Sequence, residues 1–217
     1  MLCDSGLDMA IDLQGRYVVV GQSRNTSGGK EAAVWRYNAD GTRDTTFPAA
    51  GLGATSARLG SIHLGTTNIM GVADAAKIND RATSISIDSQ GRYILTGQSR
   101  DWNCSGGTSN AARVAIWRIN TDGSLDTTFG SGVSTSHYAG SVTAYGYNGA
   151  GGSDANFSAA GQTCASNMMY DVAWASAIDS YGRIIGAGWS ANSNSATGGF
   201  GWEWVMWRFR STGAEDK

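Results

Sequence analysis

One segment recurs three times along this chain, and internal repetition limits a fold more tightly than any single motif can. It reads MAIDLQGRYVVVGQSR from Met9, SISIDSQGRYILTGQSR from Ser84 and ASAIDSYGRIIGAGWSA from Ala175, with Gly15, Gly91 and Gly182 in register. A second block follows each copy: AAVWRYNADGTRDTTF, RVAIWRINTDGSLDTTF and EWVMWRFRSTGAED, anchored by Trp35-Arg36, Trp117-Arg118 and Trp207-Arg208. In the third copy Thr212-Gly213 replaces Asp-Gly, and Asp216 falls where Asp44 and Asp126 fall. The chain is therefore read as one module of three units, about 7–81, 82–171 and a shortened 172–217.

Each unit translates into strands. Ile11 alternates with polar neighbours, LQG supplies a turn, and Tyr17 to Val20 are β-branched or aromatic, which predicts a hairpin with glycine near its tip. The same pattern holds from Ile87 to Leu95 and from Ile178 to Ile185. In AVWRYNADG the aromatics alternate with Arg36 and Asn38, predicting a third strand that ends in an Asx-Gly turn. Segments between units, such as ATSARLGSIHL and VSTSHYAGSVTAYGY, alternate enough for a fourth strand. With 31 Gly, 1 Pro and 16% charged residues, the composition suits short strands joined by tight turns. The expected fold class is all-β, a β-propeller-like array of three antiparallel, blade-like repeats with long inserted loops.

The pattern ID-x-x-G-R, then G-Q-S, then WR-x-N-x-DG-x-x-DTTF, resembles the delta-60 repeat, a tandem unit of large secreted or surface proteins, mainly of deltaproteobacteria. Its most specific part, DG-x-x-DTTF, stands at Asp40–Phe47 and Asp122–Phe129. The resemblance implies a propeller-like architecture and a surface location, with no chemistry attached. The third copy departs by losing the Asp-Gly and the TTF.

Charge excludes some partners. The net charge is −2 and there is no Lys/Arg run, so neither nucleic acid nor an anionic membrane is expected. No stretch is apolar enough to cross a bilayer as a helix, and membrane insertion is not expected. The three cysteines show no zinc spacing; Cys104 and Cys164, both in Gly/Ser-rich stretches, are the pair expected to bridge if a disulfide forms.

Catalysis finds little support. A nucleophilic triad has only His63 and His137 to draw on, and no GxSxG elbow is present. Asp40, Asp44, Asp122 and Asp126 read as turn formers rather than calcium ligands, because no distal bidentate Glu follows. Asp12, Asp88 and Asp179 read as turn residues similar to a sialidase Asp-box with one residue too many. Acids outside those turns, among them Asp4, Asp80, Asp171 and Glu203, read as non-repeated and form no recognisable glycosidase pair. No enzyme activity, metal or cofactor is expected.

Recognition is the alternative. Trp35, Trp117 and Trp207 recur at one position and read as packing residues. Trp102 and Trp202 lie in the variable strand-to-strand loops, beside Asp101, Asn103 and Glu203, where a ring can stack on a sugar face while polar groups bond its hydroxyls. The sequence thus predicts an extracellular binding or adhesion module, such as the head of a bacterial surface fibre, recognising glycans or proteins of another cell. A structural spacer and a propeller glycosidase are the rival readings. A three-unit array would expose strand edges and blade faces, so a homo-oligomer, a trimer, is expected.

Overall fold

A computed structural model describes residues 4–24, 28–48, 61–63, 79–100, 112–131, 141–144, 170–194 and 199–216. Within them the chain forms strands only. Repeat 1 holds β1 (Ser5–Ile11), β2 (Tyr17–Arg24), β3 (Lys30–Tyr37) and the short β4 (Ser61–His63). Repeat 2 holds β5 (Asn79–Ile87), β6 (Tyr93–Arg100), β7 (Ala112–Ile119) and β8 (Ser141–Ala144). Repeat 3 holds β9 (Tyr170–Ile178), β10 (Ile184–Asn194) and β11 (Gly199–Phe209).

Within each repeat the strands form an antiparallel meander. Val19 lies between Met9 and Trp35, and Leu95 between Ile85 and Trp117. The fourth strands predicted between units exist: β4 pairs antiparallel with β3, and β8 with β7. Successive repeats touch through the ladder at a single parallel pair, Lys30 with Asn79 and Ala112 with Tyr170. The result is three blade-like sheets joined corner to corner.

The hydrophobic core lies between blades. One cluster joins Val18, Val20, Ala32, Val34 and Phe47 of repeat 1 to Tyr93, Leu95, Trp117 and Ile119 of repeat 2. A second joins Ile94, Val114, Ile116 and Phe129 of repeat 2 to Ala173, Ile184, Trp207 and Phe209 of repeat 3. Alternation along each strand thus gives every blade a forward face and a backward face. The recurring tryptophans face backward: Trp117 is fully buried and Trp207 nearly so.

The glycine of the GQS motif has a tertiary cause. Each first strand carries a bulge, at Gly6/Asp8 in β1 and Ala82/Ser84 in β5, and the register on β9 slips at the matching place. The bulge swings a carbonyl onto the neighbouring strand. A Cβ on Gly97 would stand 1.9 Å from the Arg81 oxygen, and one on Gly21 or Gly188 would stand 1.8 Å from the oxygen of Ser5 or Val172.

Candidate functional site

The two ends of the blades differ in character. At one end lie the Asp-x-x-Gly turns of the first hairpins, and they are built alike in all three repeats. Asp12 accepts the backbone N–H groups of Gln14 (3.0 Å) and Arg16 (2.9 Å) on Oδ1, and the Arg16 Nε at 2.7 Å on Oδ2. Asp88 treats Gln90 and Arg92 in the same way, and Asp179 treats Tyr181 and Arg183. The glycine that follows sits at φ +77° in Gly15 and +78° in Gly91, a left-handed turn conformation that explains why the position is never another residue here.

The WR and DTTF motifs form one unit. Arg36 donates from Nε to Asp44 at 2.7 Å, its guanidinium lies 4.1 Å from the Phe47 ring centre, and Asp44 also accepts the Thr46 N–H and hydroxyl. Arg118, Asp126, Phe129 and Thr128 repeat the arrangement. Asp44 and Asp126 are turn formers, as the sequence predicts, and each holds its TTF segment by accepting the N–H of Thr46 or Thr128. Arg36 and Arg118 then leave their own repeat: Nη1 of each donates to a turn carbonyl of the next one, Thr121 and Ser211. The uniform end is a chain of inter-blade latches.

Electrostatics follow the geometry. Burial pushes the carboxyls of Asp12, Asp44 and Asp126 up, but the N–H, hydroxyl and guanidinium donors around each outweigh it and hold all three below the usual carboxylate range. They are structural anions with their lone pairs committed. Burial pulls the Arg118 guanidinium down and pushes the Tyr93 phenol up.

The opposite end gathers the segments that differ between repeats. The β2–β3 connection leaves at Arg24 and returns at Lys30; its counterparts run from Arg100 to Ala112 and from Asn194 to Gly199. β4 runs antiparallel to β3, with Ser61 opposite Trp35 and His63 opposite Ala33, so the segment between His63 and Asn79 joins strands at this same end. The segment between Ala144 and Tyr170 does likewise.

Asp101, Trp102, Asn103, Cys104 and Cys164 lie outside the described residues; Asp101 directly follows Arg100 at the variable end of β6. Trp202 and Glu203 belong to a strand rather than to a loop. The β10–β11 ladder extends to Asn194 opposite Gly199, placing Trp202 opposite Ala191 and Glu203 opposite Ser190.

The reading of Asp4, Asp80 and Asp171 as non-repeated acids is corrected. Asp4 directly precedes β1, Asp80 and Asp171 are the second residues of β5 and β9, and the three are spaced as Gly15, Gly91 and Gly182 are. Ser23 donates its hydroxyl to Asp4, and Ser99 to Asp80, each at 2.6 Å. Asp171 and Ser190, both buried, hold the matching places in repeat 3. The signal was available: each aspartate precedes its turn glycine by the same number of residues, and each serine ends a G-x-S. Among the described residues no group of three His, Cys, Asp or Glu side chains could hold a metal ion.

A family model described as "Domain of unknown function (DUF5122) beta-propeller" matches residues 15–47 and 91–129. Those stretches run from the turn glycine to the DTTF phenylalanine of repeats 1 and 2, which is the span carrying the latch. The match covers less than half of the chain and leaves repeat 3 outside it. No curated protein matches the sequence. The fold is β-propeller-like, with three blades of antiparallel strands.

Proposed function

We propose that the chain is an extracellular or cell-surface recognition module, of the kind the delta-60 repeat resemblance implies, which binds glycans or proteins of another cell through the variable end of its blades. One observation carries the reading. The segments that differ most between repeats join strands at one end, while the latch that fixes the blades occupies the other. A rigid scaffold that presents divergent loops on one side is the general arrangement of binding proteins. Asp101, Trp102 and Asn103 follow Arg100, the last residue of β6, in the sequence, and Trp202 with Glu203 lies on the strand β11 that starts at that end.

The test is binding to a glycan array and to intact bacterial cells by the native chain and by a Trp102→Ala/Trp202→Ala variant. The expected result is binding that falls at least tenfold in the variant with unchanged thermal stability. Absence of binding by the native chain to every glycan and cell, or equal binding by the variant, favours the structural-spacer reading and overturns this one.

A further inference from the structure

Repeats 1 and 2 each bury their forward face under the repeat that follows; repeat 3 leaves that face open. Trp204 and Met206 stand where Val114 and Ile116 stand in β7, and they are 86% and 60% exposed where both counterparts are fully buried. Trp189, opposite Trp204 in the ladder, carries the apolar stripe onto β10, where Trp174, at the β9 bulge and stacked under Arg81 of repeat 2, meets it edge-on at 5.9 Å. Both are also exposed. Arg208 is the counterpart of Arg36 and Arg118. Its Nε lies 2.8 Å from Asp216, but no following turn among the described residues offers the carbonyl that the other two take.

The matching vacancy is on repeat 1. Its backward face shows Met9 and Ile11, 53% and 59% exposed, where repeat 2 packs Ile85 and Ile87 against repeat 1. Tyr17, half-buried, holds the place of the fully buried Tyr93. The Ala39 carbonyl is the counterpart of the Thr121 carbonyl and, among the described residues, receives a long 3.4 Å bond from the Tyr17 hydroxyl in place of an arginine. An apolar patch on one end and its complement on the other define a head-to-tail contact, with a donor on one face and acceptors on the other.

We propose that the open face of repeat 3 docks on the backward face of repeat 1 in a second copy of this chain. Arg208 takes the partner's Ala39 carbonyl and Tyr17 hydroxyl, as Arg36 takes those of Thr121 and Tyr93 within the chain. Two copies, in place of the three expected from the sequence, give a ring of six blades, inside the roughly four to eight of β-propellers, whereas three copies give nine. The occupant is committed to a second copy because the backward face of repeat 1 carries both the apolar residues and the acceptors that this forward face lacks. The inference rests on blade stacking alone and is independent of what the variable end binds.

Sedimentation equilibrium and light scattering on the 217-residue chain test it, with circular dichroism to verify folding. The native chain is expected at twice its 22.6 kDa mass. Trp204→Asp and Ile11→Asp, each on an exposed side chain, are expected to be folded monomers, and an equimolar mixture of the two to form a one-to-one complex, because each retains the face that the other has lost. Arg208→Ala is expected to weaken association by roughly tenfold or more. A native chain that stays monomeric at its solubility limit overturns the proposal. So does a three-copy mass, or an Ile11→Asp variant that dimerises as the native chain does.

Discussion

Arg36 donates to the Tyr93 hydroxyl at 3.1 Å, and that hydroxyl donates in turn to Asp12 at 2.9 Å, so a side chain of repeat 2 closes a circuit between the two turns of repeat 1. The phenol is fully buried, and so its bonds are made without competing water. Replacing Tyr93 with Phe leaves Asp12 and Arg36 with their other partners and is expected to cost about 1–2 kcal/mol in a urea titration. Tyr17→Phe, at the half-buried counterpart, is expected to cost far less. Equal losses at the two positions would contradict the circuit.

Arg36→Ala strips Asp44 of its ion pair in a setting where both side chains are nearly inaccessible, at 3% and 5% exposure. Removing one member of such a pair is expected to cost about 3–5 kcal/mol. Arg36→Lys keeps the charge but lacks the planar fork that reaches Asp44, Tyr93 and Thr121 together, so it is expected to recover less than half of that loss. Full recovery by Lys would show that charge alone matters.

The glycines separate two kinds of constraint. Gly15→Ala meets open space and bears only the strain of positive φ, about 1–2 kcal/mol. Gly97→Ala would drive its Cβ into the Arg81 carbonyl, a backbone atom locked in the ladder. Melting temperatures should therefore drop far more for Gly97→Ala, with loss of folding as the extreme outcome. The reverse ranking would refute the close approach at the bulge.

Acid should weaken the latches. The carboxyls of Asp12, Asp44 and Asp126 are held below their ordinary value in the folded chain, so in acid the unfolded chain binds protons first. Their contribution is complete above about pH 4, the ordinary carboxylate value, and is lost as pH falls through the depressed folded values. Calorimetry across that range should show a falling melting temperature, and Asp126→Asn should start lower and show a shallower slope. A slope unchanged by that substitution would exclude Asp126 from the effect.

Phe129 is fully buried, lies under Arg118 and belongs to the cluster between repeats 2 and 3. Phe129→Ala is expected to cost about 3–5 kcal/mol by leaving a cavity. Because the cluster spans two repeats, amide exchange should accelerate in both β7 and β11. Protection lost in repeat 2 alone would place the core within blades.

The repeat, its hairpins and its turns were legible in the residues because each is a local matter: alternation sets a strand, Asx-Gly sets a turn, and three copies average out the noise. Trp35, Trp117 and Trp207 were readable as packing residues on the same ground. The strand position of Trp202 is not legible in the residues, because the Gly- and Asn-rich composition of 191–201 reads as a loop and masks a ladder that its partner strand stabilises. Asp4, Asp80 and Asp171 escaped notice because their serine partners lie across a strand pair, remote in sequence.

The sequence by itself determined the strands, the turn chemistry and the threefold repetition, all of which depend on neighbours a few residues away. Only the tertiary structure decided that the core lies between blades, that Gly97 is held by a carbonyl rather than by its own φ, and that Arg36 and Arg118 serve the repeat that follows. Those relations join residues dozens of positions apart. They exist only where a bulge, a ladder and a stacked face bring them within a few ångströms, and no local pattern encodes that approach.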